Sequence, residues 1–250
     1  MVAAARCSSP DSDSSEGNRR WSQGFRSKLF AHIASIAMVG GLLAPAAVAD
    51  ENSTSGEVRI GVMIDGVLTP ADPADIAAAT AGLPDRSSGQ GGDATPQLID
   101  WNQWFGCFSL NHEDDVFAQY VHWWDGESQD VRLKCGTGGA KTGWGYMHIR
   151  GEHERNWQDE FDAARAAGWD PRNDRMESWD DLMSFSTGQA IRYPEFRGGN
   201  TVNKSRCAVS EVIFYRVNSG ERVYSFRVRS AWASDSDRLI TSFPQKKEIC

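Results

Sequence analysis

Residues 206–243 read RCAVSEVIFYRVNSGERVYSFRVRSAWASDSDRLITSF, and their rhythm decides the fold. Residues 206–217 and 221–233 alternate apolar and polar side chains with the two-residue period of strands. Between them, Asn218-Ser219-Gly220 supplies turn residues at hairpin spacing. Residues 234–237 turn again. A third strand follows over 238–243, with Pro244 as its expected stop. An antiparallel meander therefore closes the chain.

Moving toward the N-terminus, the period changes to that of helices. Trp157, Phe161 and Ala164 recur at helical spacing within 152–167, and Gly168 suits a helix end. A second helix is expected from Ser178. Asp181 stands three residues on as the reciprocal partner of a capping box, and Trp179, Leu182, Met183 and Phe185 form the apolar stripe. Before these helices, 116–124 and 130–135 read as a hairpin around a turn at 125–128. The whole predicts an α+β class: two helices packed on a central antiparallel β-sheet, with an N-terminal β-hairpin and disulfide cross-links.

The first 49 residues have the three parts of an export signal. Arg19, Arg20, Arg26 and Lys28 are basic, 29–43 is apolar and uncharged, and Ala47-Val48-Ala49 offers small residues for cleavage. The apolar run is shorter than the roughly 20 residues a membrane span needs, and Gly40, Gly41 and Pro45 interrupt it. The expected domains are thus a signal peptide (1–49), an acidic and flexible leader (50–97) and one globular α+β domain (98–250). The expected location is secreted, or extracellular, with no stable membrane association after signal cleavage. Within the leader, only 57–68 alternates enough to suggest a strand.

Charge divides the remaining chain. Residues 50–130 carry 15 acidic and two basic side chains, whereas 131–250 carry 16 acidic and 19 basic. The excess concentrates in 192–247, with 11 basic against five acidic residues, so a local positive field is compatible with an acidic total. Four cysteines remain after the signal: Cys107, Cys135, Cys207 and Cys250. An even number in an exported chain predicts two disulfides. Of three connectivities, Cys107–Cys135 and Cys207–Cys250 is favoured, because each pair lies within one local region. No C-x-x-C pair suggests a metal, and no cofactor is expected.

Residues 145–153, GYMHIRGEH, carry the chemistry. His148 and His153 are five apart, about 140° around a regular helix. Either the first precedes the helix or Gly151 bends it, if both are to face one site. The spacing is not H-E-x-x-H, so two zinc ligands on one face are not expected. Two histidines do suit metal-independent cleavage of RNA, where one takes the 2′-hydroxyl proton and the other protonates the leaving 5′-oxygen. A cation for the phosphate is available in Arg227 or Arg229, on one face of a strand, and a hydroxyl in Thr241 or Ser242. Arg150, between the histidines, joins Ser242 as a substrate-binding candidate.

A helix start with H-I-x-x-x-H (148–153) followed by a meander ending Ile240-Thr241-Ser242-Phe243-Pro244 resembles the barnase–EndoU–RelE-like superfamily. The likeness covers about 143–244. It implies an α+β ribonuclease, commonly a secreted toxin, with RNA as substrate and an immunity protein as partner. It also implies a site of His148, His153 and Thr241, with Arg227 or Arg229. The rival reading starts from tryptophan. Trp101, Trp104, Trp123, Trp124 and Trp144 could form a platform for sugars, making the protein a non-catalytic cell-wall or carbohydrate-binding domain.

Overall fold

In the computed structural model of the chain, residues 56–80, 98–99, 101–122 and 129–250 are described. Residues 1–49, where an export signal is expected, residues 81–97 of the expected leader, and Trp123 and Trp124 lie outside them.

The closing meander forms as read: β6 (Ser205–Arg216), β7 (Arg222–Ala233) and β8 (Leu239–Gln245) pair antiparallel in that order. β8 runs through Pro244 rather than ending before it. It lies at the end of the sheet, where proline's missing N–H breaks no ladder bond. The first described strand, β1 (Val58–Ile64), pairs with the second half of β6. The short β5 (Phe196–Asn200) pairs with its first half, and β2 (Val67–Pro70) turns back on β1 at Asp65-Gly66. The sheet therefore runs β2-β1-β6-β7-β8.

This corrects the reading of 50–97 as a flexible leader. Residues 58–80 are built into the domain as β1, β2 and α1 (Pro73–Thr80). Composition hid this, because the segment has few large apolar groups. Those it has are on one face: Val58, Ile60, Val62 and Ile76 are buried in the core. Asp174 secures β1. Its carboxylate accepts from Arg59 Nε at 2.7 Å, the Ile60 backbone N–H at 3.1 Å and Trp169 Nε1 at 2.7 Å.

α3 (Gly145–Ala166) and α4 (Trp179–Arg192) pack on one face of the sheet, and with α1 and α2 (Trp101–Leu110) the described α-helices number two more than sequence predicts. At α4 the capping box is present: the side chains of Ser178 and Asp181 each bond to the other's backbone. Its Leu182, Met183 and Phe185 meet Val212, Phe214, Phe226, Val228 and Trp232 of the sheet in one core. β3 (Val116–His122) and β4 (Gln129–Lys134) form a separate two-stranded hairpin. Both disulfides have the favoured pairing, Cys107–Cys135 and Cys207–Cys250. The first joins α2 to the end of β4, and the second joins β6 to the residues after β8.

α3 begins at Gly145, seven residues before the start that periodicity predicts. Gly145 has φ +73°, and a Cβ there would lie 2.6 Å from the Lys134 carbonyl, so only glycine fits. Gly151 neither stops nor interrupts the helix. Its side meets open space, and the cost of an interior glycine, about 1 kcal/mol, is offset by packing of Ile149 and Trp157 on either side.

Candidate functional site

α3 lies along the outer side of β8. Trp157 Nε1 donates to the Ser242 carbonyl at 3.1 Å, on the strand that ends the sheet among the described residues. Ile149, His153, Trp157 and Phe161 follow each other at i+4, so His153 is on the ridge that faces the sheet. Its ring stacks on Phe243 of β8, with centroids 4.7 Å apart.

His148 and His153 meet. Their centroids are 5.7 Å apart with planes at 87°, although both belong to one continuous helix. Neither arrangement foreseen from sequence is needed. The 140° angle describes where the Cβ atoms point, whereas two rotatable bonds and the lean of helical side chains toward the N-terminus carry the rings together. His148 is only 8% exposed. Its Nδ1 is 3.0 Å from the Gly139 carbonyl, an acceptor, so Nδ1 is the donor in that bond. The glycine-rich turn before α3 thus sets the tautomer.

His153 is held below the ordinary histidine range. Partial burial is the main cause, and the neighbouring His148 adds to it, against an opposing hydrogen bond with Asn156 and the charge of Glu152. The folded chain therefore binds a proton at this site less readily than the unfolded chain. Stability from this group is complete above about pH 6.5 and falls as pH drops through the unfolded value toward the folded one. The melting temperature of the natural protein should fall more steeply between pH 7 and pH 5 than that of His153→Gln. Parallel curves would show that this ring does not titrate differently on folding.

The sheet brings the other candidates in unequally. Pair register puts Arg229 opposite Phe243 and Ala231 opposite Thr241, so Arg229, Thr241 and Phe243 share the face opposite the helices. The Arg229 guanidinium lies 5.6 Å from the Phe243 centroid. The sequence His148, His153, Phe243, Arg229 is thus a continuous chain of ring contacts around the β8 edge. Thr241 Oγ1 is buried with no hydrogen-bond partner among the described residues. Arg227 is two residues along the same face, paired with Glu248 at 2.7 Å.

Two candidates are not there. Ser242 points to the opposite face, fully buried, where its hydroxyl bonds Thr187 at 2.7 Å and Ser230 at 3.1 Å. It is a core hydroxyl, because alternation sends adjacent residues of a strand to opposite sides. Arg150 is 200° around α3 from His148; its guanidinium lies 4.9 Å from the Phe108 centroid and pairs with Glu154. His122 is buried beside Trp232.

Sequence reasoning missed Phe243, Asn156 and Gly139. Phe243 had a signal, since it is two residues from Thr241 and so on the same face. Asn156 had none. It bonds His153 and also lines a cleft of about 440 Å³ with Glu160, Glu211, Tyr224, Arg227 and Lys246. Glu160, which accepts from the Tyr224 hydroxyl, is pushed up by burial.

Comparison with known proteins adds little to this geometry. No family model matches the chain, and no solved structure does. The chain is similar to Uncharacterized protein Rv0739 and Uncharacterized protein MT0764, from two strains of Mycobacterium tuberculosis. Each is 23% identical over 145 residues, 57% of this chain. The chain spans about half the length of these curated relatives.

Proposed function

We propose that this protein is an exported, metal-independent ribonuclease, of the kind used as a toxin, that cleaves RNA by histidine acid–base chemistry. The observation that carries the reading is the contact between His148 and His153 at the edge of β8. The neighbouring His148 disfavours protonation of His153, so the two rings suit unlike roles. One ring is then a base and the other an acid, as the reaction needs. His153, held low, takes the 2′-hydroxyl proton. The 2′-oxygen attacks phosphorus, the bond to the 5′-oxygen breaks, and the leaving oxygen takes a proton from His148 Nε2. A 2′,3′-cyclic phosphate and a 5′-hydroxyl result. Arg229 is linked to the pair through Phe243, and Thr241 lies on the same sheet face with its hydroxyl buried and unpartnered among the described residues. Two disulfides accord with export.

The test is cleavage of RNA by the purified protein in EDTA, with products resolved by mass. Cyclic phosphate ends are the expected result. Cleavage that EDTA abolishes and zinc restores would replace the mechanism with a metal-dependent one.

A second reading rests on α2. Trp101 is 71% exposed and stacks on Trp104 at 5.2 Å and 12°, and Trp104 stacks on Phe108 at 5.3 Å. Such a step of rings can bind sugar faces or bases. Glycan binding without RNA cleavage in the same preparation would favour a non-catalytic cell-wall or carbohydrate-binding domain.

A further inference from the structure

We propose that residues 246–250 are a strap, closed by the Cys207–Cys250 disulfide, that occupies the arginine face of the sheet and weakens binding of anionic substrate until a dithiol opens the bond. The proposal rests on the ribonuclease reading for what the arginines do, but not for whether they are covered.

Pair register places Cys207, Val209 and Glu211 of β6 on one face with Arg227, Arg229 and Ala231 of β7. This is the face away from the helices, and it is where an anion would meet both arginines. The strap meets it at separate points. Glu248 Oε1 accepts from Arg227 at 2.7 Å. Arg229 Nε lies 3.2 Å from the sulfur of Cys207, within the disulfide itself. The Gln245 side-chain amide donates to the carbonyls of Lys247 at 2.8 Å and Ile249 at 2.9 Å, holding the curl of the segment. On β5, a Cβ at Gly198 would come 2.9 Å from the Cys250 Cβ, so the absence of a side chain there is what lets Cys250 lie over the sheet.

The chemistry of the contact is that of a substituted ligand. A carboxylate and a phosphate present similar paired oxygens to a guanidinium, so Glu248 takes the partner that a phosphodiester would take. Arg227 Nε remains buried with no hydrogen-bond partner among the described residues, a donor that Glu248 does not use. The disulfide makes the contact persistent. Without it, the strap is held by Gln245 and by an ion pair whose Glu248 side is 57% exposed, a kind of pair that contributes little alone.

Opening is a two-electron step. A dithiol thiolate attacks one sulfur of Cys207–Cys250, the S–S bond breaks, and a mixed disulfide forms. The second thiol resolves it. Cys207 and Cys250 leave as thiols with two protons, and the reductant leaves as its disulfide. The other bridge is shielded, since Cys107 and Cys135 have no exposed surface, whereas Cys250 is partly exposed. Mild reduction therefore acts on the strap first. An exported chain stays oxidised outside the cell and meets dithiols in a reducing cytosol.

The experiment compares the full chain oxidised, after mild dithiol reduction that leaves Cys107–Cys135 intact, and as Cys250→Ser and Glu248→Gln. One measurement is phenylglyoxal modification of Arg227 and Arg229 by peptide mass, with the exposed Arg172 as control. The other is anisotropy of a fluorescein-labelled 2′-O-methyl RNA, which cannot be cleaved. A strap closed nine-tenths of the time lowers apparent affinity about tenfold. Reduction and Cys250→Ser should each raise Arg227 labelling and oligonucleotide affinity by about that factor, with Glu248→Gln raising both in part. Equal labelling and affinity in all four forms would overturn the strap. Should labelling and affinity rise while no form cuts unmodified RNA, the strap stands and the ribonuclease reading falls.

Discussion

His148→Ala and His153→Ala should each lower RNA cleavage in EDTA by about 10²–10⁴-fold, the usual contribution of a placed acid or base. The two losses should not multiply, because the rings act as one catalytic unit. The double variant should therefore be little worse than either single one. Structure separates the two substitutions in another way. His148 is nearly buried and anchors the glycine-rich turn through Gly139, so its loss also loosens residues 136–145. His148→Gln, which retains a donor, controls for that. His153 touches Phe243 and Asn156, and its replacement leaves the core beneath intact. Single-turnover cleavage of a short RNA, with thermal unfolding measured on the same preparations, checks the prediction. Full activity in both folded variants would remove the histidine mechanism. Arg229→Lys should fall between, because lysine keeps the charge but loses the planar fork.

Asp174→Ala should destabilise the protein by about 3–5 kcal/mol, the cost of removing one partner from a hydrogen-bonded charge pair whose carboxylate side is buried. Three donors lose their acceptor at once: Arg59 Nε, the Ile60 N–H and Trp169 Nε1. Two of them are buried, and a buried donor left without a partner forfeits its full desolvation energy. The damage should be local in kind, since Asp174 ties β1 and β2 to the turn at 171–174 and not to the β8 edge. Urea unfolding followed by tryptophan fluorescence gives the loss, and hydrogen exchange should locate the earliest opening in 58–70. A change under 1 kcal/mol would mean that β1 is held by its pairing with β6 alone.

How far the sequence reveals the site can be followed residue by residue. The two histidines were visible as a pair because imidazole is rare in the chain and their spacing is short. Their meeting was not, since backbone azimuth argued for 140° of separation and side-chain rotation closed it. Arg227 and Arg229 were legible as residues of one strand face, because alternation is a property of the chain, whereas the register of β7 with β8 decided that Thr241 shares it. Ser242 was misjudged for the same reason, as the neighbour of a face residue must point the other way. Asn156 is brought to the site only by its contact with His153, whereas Phe243 shares the strand face of Thr241. Arg227 was legible as a cation but not as one already engaged by Glu248, since that pairing spans 21 positions and depends on where a disulfide folds the chain.

The fold divides along the same line. The meander, the capping box at Ser178 and Asp181, the 116–135 hairpin and both cysteine pairings follow from local periodicity and chemistry, which act over a few residues wherever the chain is placed. The membership of β1 in the sheet, the early start of α3 and the continuation of β8 through Pro244 were decided by distant partners: β6, the Lys134 carbonyl, and a position at the sheet's end. The same holds for the strap. Short-range preferences determine what each segment tends to be, whereas burial and pairing between segments far apart in the chain determine which side chains share a surface.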